Sequence, residues 1–389
     1  MTAVDAVYQT TRSRDVVLAR PGEFSALVIG PWRFWPPVAL APMAGVTSYP
    51  YRAICRELGA SLCASEMVTA RALIQGSAKS WKFAEFGPDE HPRCLQLYGA
   101  DPAHVGEAVR RLVDAGRVDL IDLNFGCPVR KVTSQGAGCA IPARPRLLAS
   151  VIRAAVSAAG TVPVTVKLRL GIDDRQTTFL AASHIAEDEG CGAVCLHART
   201  GAQLYDGPAR WEAIGELKQA VGIAVLGNGD IWEAHDALRM MRQTGCDGVM
   251  VGRGCLGRPW LFRDLERVFA GADPDNPPTL GGVIDFMLEH ARGLVRWIGE
   301  PAGIRAFRRH ACWYTKGFRG SAEWRDTLML TSTLDQLQAV LGRLDRDQPF
   351  PPSAMRLPRG KRSGTQEVSL PQGYLGDGAG CSDDGFPGA

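Results

Sequence analysis

The chain lacks several features that would set it apart from ordinary globular proteins. It contains no run of about eighteen apolar residues, the length needed to cross a bilayer. The first thirty residues contain no apolar stretch long enough for a signal peptide. Its 11 cysteines stand singly, with no CxxC pair and no Cys/His cluster at zinc spacing. We therefore expect a cytoplasmic protein with no membrane segment and no metal, whose thiols lie in a reducing compartment.

An excess of either charge is also missing, because 44 Lys and Arg residues face 41 Asp and Glu residues. Such a balance does not by itself indicate a nucleic-acid binder, so any RNA affinity must come from a local patch. The chain is long and apolar enough to bury a sizeable core. Its 389 residues, 46% of them apolar, suffice for one large domain and a small one.

Short runs rich in Val, Ile and Leu alternate with amphipathic stretches of helical length, which is typical of repeated βα units. Eight runs can be counted: VALAPM from Val38, SLCASEM from Ser61, RCLQLYG from Arg93, LIDLNFG from Leu120, PVTVKLRLG from Pro163, AVCLHART from Ala193, AVLGNGD from Ala224 and GVMVGRG from Gly248. Eight parallel strands, each followed by a helix, predict a (β/α)8 TIM barrel.

The segments around the barrel divide the chain further. We expect an N-terminal extension over 1–37, the barrel over 38–270, a linker over 271–282, a helical domain over 283–346 and a tail over 347–389. The run SALVIGPWRFWPP in the extension predicts a hairpin that turns near Gly30 and Pro31 and plugs the barrel floor. Three helical stretches are expected to begin near Val283, Ala302 and Thr331. The tail is rich in Pro, Gly and Ser, which predicts disorder.

Polar and small residues collect where the predicted strands end, the edge that carries the active site of such barrels. They include Pro42, Met43, Ala44, Gln96, Asn124, Cys127, Lys167, Arg169, His197 and Arg199. Taken singly, each has a structural explanation, such as a core histidine, a solvated cation or a buried thiol. Their shared edge favours a site, since structural residues would spread over both ends of the barrel.

The last two strands end in Asn228, Gly229 and Asp230 and in Gly252, Arg253 and Gly254. The loops after strands seven and eight are the usual phosphate site of TIM barrels, because glycines and helix N-termini present unpaired amides. Arg253 would add a charge-assisted hydrogen bond. With an amide at Gln96 and a cation at Lys167, this corner suits FMN.

Seven motifs in order resemble those of the tRNA-dihydrouridine synthase family, and most of all its B-type bacterial branch. They are APMAGVTSYPYR, QLYGADP, DLNFGCPVRKV, VTVKLRLG, HARTGAQLYDGPARW, LGNGDI and GVMVGRGCLGRPWLF, which span about Val38 to Phe269. The helical domain resembles the family more weakly.

The resemblance implies reduction of uridine in tRNA to 5,6-dihydrouridine by a monomer that holds FMN and takes electrons from NADPH or NADH. It implies that FMN is held by Pro42, Met43, Ala44, Gln96, Lys167, His197, Asn228, Gly229, Asp230, Gly252 and Arg253. Cys127 matches the family's proton-donating cysteine. Asn124 and Arg199 match positions expected to face the target uracil.

The helical domain offers a second indication of an RNA partner. Arg305, Arg308, Arg309 and Lys316 would share one face of a helix. A solvated helix face explains such a row equally well. Trp313 lies among these charges and could stack on a base or pack in a core.

Two other functions compete with the one that the family implies. A small-molecule FMN oxidoreductase of the dihydropyrimidine or dihydroorotate dehydrogenase type would share the barrel and the flavin, but would not need a basic helical domain. A non-catalytic RNA-binding protein on the same scaffold would not need Cys127, Lys167 and His197 together.

Overall fold

The computed structural model describes residues 16–360 and 364–375. Its strands are β1 (Leu27–Ile29), β2 (Trp32–Phe34), β3 (Val38–Leu40), β4 (Leu62–Cys63), β5 (Val68–Thr69), β6 (Cys94–Tyr98), β7 (Leu120–Phe125), β8 (Val164–Arg169), β9 (Ala193–His197), β10 (Ala224–Asn228) and β11 (Gly248–Val251). β3 to β11 form one parallel sheet in the order β4-β3-β11-β10-β9-β8-β7-β6-β5. The predicted (β/α)8 barrel with a C-terminal helical domain is confirmed.

The second predicted strand differs from expectation, because the run from Ser61 is split into β4 and β5. Between them Ala64 bridges to Cys94 in parallel, and the amide of Ser65 donates to the carbonyl of Cys94 at 2.9 Å. These contacts join β4 to β6 and close the barrel. The chain leaves the ladder at Glu66, whose carboxylate accepts a hydrogen bond from the amide of Gly45 at 2.5 Å.

Helices connect the strands and continue beyond the barrel. In chain order they are α1 (Tyr49–Glu57), α2 (Ala70–Ile74), α3 (Ala78–Phe83), α4 (Pro102–Asp114), α5 (Arg130–Thr133), α6 (Pro145–Ala159), α7 (Phe179–Asp188), α8 (Glu212–Ala220), α9 (Ala234–Thr244), α10 (Leu261–Phe269), α11 (Leu280–Ile298), α12 (Glu300–Tyr314), α13 (Ser321–Leu330) and α14 (Leu334–Leu341), with 3-10 turns at Gly138–Ala143, Arg253–Cys255 and Pro352–Ala354. Asp101 caps α4 by accepting from the amide of Ala103, while Val105, Val109 and Leu112 recur at helical spacing and are buried.

The barrel floor is filled by the hairpin of β1 and β2, which pair through Ile29 and Trp32 around Gly30 and Pro31. Leu27, Ile29 and Phe34 are buried against inward-facing strand residues such as Leu120. With its lower end packed in this way, the barrel presents its polar residues at the opposite edge, where the strands end.

The helical domain packs around its own apolar cluster, which includes Ile284, Phe307 and Leu337 and which Trp260 joins from the end of the barrel. Sequence periodicity did not predict α13, because Leu328 is its one buried residue and its exposed side carries apolar residues such as Leu330. A helix with so little amphipathic pattern gives a weak periodic signal.

The tail is the clearest departure from the sequence-based expectation. Residues 348–360 and 364–375 lie against the rest of the protein, and Arg359 is only 2% exposed. Farther along, the hydroxyl of Tyr374 donates to the carbonyl of Gly136 at 3.0 Å. The expected disorder beyond residue 375, and residues 1–15 of the extension, lie outside the described residues.

Candidate active site

A cavity of about 510 Å³ opens at the edge of the barrel where the strands end. Most of the residues predicted from the sequence line it together. They are Pro42, Met43, Ala44, Gln96, Asn124, Cys127, Lys167, His197, Arg199, Asn228, Gly229, Asp230, Gly252, Arg253 and Arg309. Arg305 and Arg308 do not line it. The topology therefore brings residues from seven strand ends, and Arg309 from α12, into one space.

A chain of side-chain amides runs along one wall of the cavity. Gln96 Nε2 donates to Asp122 Oδ2 at 2.7 Å, and Asn124 Nδ2 donates to Gln96 Oε1 at 2.8 Å. Asn124 Oδ1 then accepts from the backbone amide of Cys127 at 2.9 Å. Because a carboxylate only accepts hydrogen bonds, ionised Asp122 fixes which end of each amide faces its neighbour. The chain thus links the barrel interior to the loop that carries Cys127.

Asp122 is a site residue that the sequence analysis missed. Burial raises the pKa of its carboxyl to about 6, although hydrogen bonds from Gln96 and Thr165 and the charge of Lys167 lower it. Thr165 Oγ1 donates to Asp122 Oδ1 at 2.7 Å. A signal was available, since an acid two residues before Asn124 in an apolar strand must face the same side of the sheet.

The adjoining wall, on the next strands of the sheet, is cationic. Lys167 Nζ donates to Asn228 Oδ1 at 3.2 Å, and Asn228 Nδ2 donates to the carbonyl of Met250 at 2.6 Å. Burial holds the pKa of His197 well below its ordinary value, and the charges of Arg169 and Lys167 lower it further. His197 is therefore neutral near pH 7 and offers one donor and one acceptor.

Arg199 lines the cavity, and its guanidinium is held by groups of the protein. Its side chain is 0% exposed, and Nη2 lies 2.8 Å from both carboxylate oxygens of Asp230. The same nitrogen donates to the carbonyl of Gly207 at 2.6 Å, and Asp230 also accepts from the amide of Ala209 at 2.7 Å. These bonds fasten the loop after β9 to the turn after β10.

Arg253 and Gly252 form the corner expected to hold a phosphate. The guanidinium carbon of Arg253 lies 4.4 Å from the ring centroid of Tyr205 and 5.3 Å from that of Trp232, so two aromatic faces hold it. A Cβ added at Gly252 would meet nothing closer than Ala41, at 3.7 Å. An added Cβ would thus be in ordinary van der Waals contact, and the glycine leaves the space of that atom free.

The sequence analysis expected unpaired amides at the start of the helix after the Asn228–Asp230 turn. In the structure, the two amides just before that helix are already bonded. α9 begins only at Ala234, and Asp236 Oδ2 accepts from the amides of Trp232 and Glu233, both at 2.9 Å. The helix thus satisfies these donors itself. Any anion at this end of the cavity would depend on Gly252 and Arg253.

Cys127 lies on the loop between β7 and α5 and is partly exposed. Of the other cysteines in the described part of the chain, only Cys312 shares that exposure. The carbonyl of Cys127 accepts from the amide of Cys139 at 3.1 Å, and a side chain at Gly138 would clash with that carbonyl. The thiol is thus reachable while its backbone is tightly held.

The three predicted arginines of α12 separate in the structure. Arg305 is exposed. Arg308 Nε donates to the carbonyl of Thr331 at 2.9 Å, so this side chain ties α12 to the segment after α13. Arg309 is exposed and lines the cavity, as does Trp313, which the sequence analysis left open between packing and stacking. The basic face therefore reaches the mouth of the cavity through Arg309.

Neither a membrane-spanning helix nor a metal site is found among the described residues. Within residues 16–360 and 364–375, no helix combines the length and apolar character needed to cross a bilayer. The same residues contain no group of three or more His, Cys, Asp or Glu side chains placed to hold a metal ion.

Comparison with known proteins gives a consistent family. Residues 39–347 match the dihydrouridine synthase (Dus) family. A probable tRNA-dihydrouridine synthase of Mycobacterium tuberculosis is 50% identical over 366 residues, covering 92% of this chain and 94% of the relative. A tRNA-dihydrouridine synthase B of Xanthomonas axonopodis is 39% identical, covering 80% of this chain and 93% of the relative.

Among solved structures, a histamine dehydrogenase of Rhizobium sp. 4-9 superimposes with a TM-score of 0.51 at 14% identity, over 87% of this chain and 66% of that chain. A likeness at this identity concerns the fold alone.

Proposed function

This chain belongs to the dihydrouridine synthase family, and on that premise we propose that it reduces uridine in tRNA to 5,6-dihydrouridine. We further propose FMN as its cofactor, NADPH or NADH as its reductant and the cytoplasm as its location. The observation that carries the proposal is the cavity of about 510 Å³ that combines a reachable thiol, Cys127, with an amide wall and a cationic wall.

The cavity suits an anionic, planar cofactor. Among the described residues that line it, six carry a Lys or Arg side chain, whereas Asp230 is the one carboxylate and is paired with Arg199. Gly252 and Arg253 both line the cavity, and we place the phosphate beside Arg253, which would add a charge-assisted hydrogen bond. The holding residues would be Pro42, Met43, Ala44, Gln96, Lys167, His197, Asn228, Gly229, Asp230, Gly252 and Arg253. When bound, FMN supplies the hydride that adds to C6 of the uracil.

Reduction of the C5–C6 bond also requires a proton at C5, and we assign its delivery to Cys127. Thiols are mostly protonated near neutral pH, so a cysteine can act as a general acid without special activation. The hold of Asn124 on the amide of Cys127 keeps the loop in one position relative to the cavity. Because Asn124 also lines the cavity, we retain it as a contact for the base.

The helical domain supports a large substrate. Arg305 and Arg309 are exposed on α12, and Arg309 reaches the cavity mouth. Such side chains position nucleic acid through its phosphates, while the reacting base is extruded from the stack into the pocket. A free pyrimidine would need no such surface.

The experiment that tests this function is a map of dihydrouridine across tRNA and ribosomal RNA from a strain that lacks this protein. We expect dihydrouridine to disappear from at least one tRNA position. Unchanged dihydrouridine at every position, in a strain with no redundant enzyme, would contradict the proposal. Loss from ribosomal RNA alone would reassign the substrate.

A further inference from the structure

The segment after the helical domain crosses the edge of the barrel that carries the cavity. We refer to residues 351–360 and 364–375 as the strap. Arg356 Nη1 donates to Glu233 Oε1 at 2.6 Å, which fixes the strap to the start of α9. Arg359 Nε donates to the carbonyl of Trp313 at 3.0 Å, which fixes it to the end of α12. The strap therefore joins the helical domain to the barrel beside the cavity.

Gln366 is a strap residue that bonds to the residue after the candidate proton donor. Its Nε2 donates to the carbonyl of Pro128 at 2.8 Å, and its backbone amide donates to the carbonyl of Ala202 at 2.9 Å. Gln366 also lines the cavity together with Cys127. The hydrogen bond from its backbone amide anchors Gln366 to the loop after β9, so its side chain holds Pro128 from a fixed point.

The strap continues along the segment that follows Cys127. Val368 is 8% exposed and packs with Cys139 and Ile172. Beyond it, Tyr374 donates its hydroxyl to the carbonyl of Gly136 at 3.0 Å. Residues 128–139 are thus held at several points by a segment that lies beyond residue 347, where the family match ends.

We propose that Gln366 is a positioning residue that holds the thiol of Cys127 in place for proton delivery. Asn124 holds the amide of Cys127 from inside the barrel at 2.9 Å, and Gln366 holds the next carbonyl from outside. Proton transfer requires donor and acceptor within hydrogen-bond reach, and a displacement of about 1 Å can cost 10²-fold in rate. This inference rests on the proposed function, in which Cys127 delivers the proton to C5.

The test uses full-length protein with Gln366→Met, which keeps the length of the side chain and removes its donor. Single-turnover reoxidation of reduced flavin by unmodified tRNA should slow about 10-fold at saturating tRNA, with an unchanged half-saturation concentration. FMN content and flavin reduction by NADPH or NADH should match wild type. Thr365→Ala, at an exposed neighbouring position, is the matched control and should leave the reoxidation rate, the FMN content and flavin reduction unchanged. Gln366→Ser provides the same comparison should the Met variant lose FMN.

A double-mutant cycle separates positioning from a general loosening of the site. In a Cys127→Ala background, Gln366→Met should cost nothing further, because the group that it positions is gone. An equal 10-fold loss in that background, or a wild-type rate for Gln366→Met in the otherwise unchanged protein, would overturn the proposal. If Cys127→Ala itself reacted at the wild-type rate, the proposed function of Cys127 would fail instead, which is a distinguishable result.

Discussion

The barrel edge and the helical domain hold their charged residues in opposite ways. At the barrel edge, Arg199 is wholly buried and paired with Asp230, and His197 is buried among cations. On α12, Arg305 and Arg309 are exposed, and the two arginines with protein partners, Arg308 and Arg309, bond to carbonyls rather than to an acid. A buried and paired charge fixes geometry, whereas an exposed charge remains available to a partner. The two regions should therefore respond differently to the same kind of substitution.

The largest effect should come from breaking the buried pair. Arg199→Met leaves Asp230 without its partner and should lower the free energy of unfolding by about 3 to 5 kcal/mol. Urea denaturation followed by circular dichroism measures the change. Arg153→Met, which removes an exposed arginine of α6, should leave the curve unchanged. An equally small effect for Arg199 would mean that the barrel edge is no more constrained than the surface.

The next largest effect concerns chemistry at the barrel edge. Cys127→Ala should retain FMN and its reduction by NADPH or NADH, but should lose about 10²-fold or more in flavin reoxidation by tRNA, because a general acid is removed. Cys127→Ser should be similarly impaired, since a hydroxyl is much less acidic than a thiol. Anaerobic single-turnover absorbance at the flavin band is the measurement. Wild-type rates in both variants would assign the proton to another residue.

A smaller effect is expected at the phosphate corner. Arg253→Ala should weaken FMN binding by about 1.5 to 3 kcal/mol, the usual contribution of a charge-assisted hydrogen bond. Fluorescence titration of the apoprotein with FMN gives the dissociation constant. Arg305→Ala should leave that constant unchanged, because Arg305 does not line the cavity. Equal losses in the two variants would remove the distinction between the regions.

The smallest effects belong to α12 and appear in the salt dependence of tRNA binding. Arg305→Ala and Arg309→Ala should each lower the slope of log affinity against log salt by about one unit per lost phosphate contact. Arg153→Ala, on α6 of the barrel, is the control, because its guanidinium is already paired with the carboxylate of Glu189. Filter binding between low and moderate salt measures the slope. An unchanged slope in the first two variants would withdraw this surface from RNA binding.

The same contrast explains what the sequence could predict. Strand ends converge in any parallel barrel, so the position of Lys167 or His197 at the end of an apolar run was enough to place it in the cavity. The burial of Arg199 depends on Asp230, thirty-one residues farther along, and no local pattern records that pair. The split of the second strand was hidden for a similar reason, since it depends on the contact between Glu66 and Gly45.

The strap was missed because its contacts are made singly and at long range. Gln366 bonds to Pro128 and Tyr374 to Gly136, both 238 residues earlier in the chain. A segment poor in large aliphatic residues has the composition of a disordered chain, even where a few polar side chains and a few apolar ones, such as Val368 and Ala354, fasten it to a folded domain. Composition reports the average of a segment and does not record individual anchors.

The central claim is that this cavity reduces a uracil that is part of RNA. Its most direct test is anaerobic incubation of the purified protein with FMN, NADPH or NADH and unmodified tRNA, followed by mass spectrometry of the nucleosides. The account predicts that one or more uridines gain two hydrogen atoms, while free uracil and uridine leave the reduced flavin unoxidised. Flavin that is reoxidised by a free pyrimidine but not by tRNA would contradict the account.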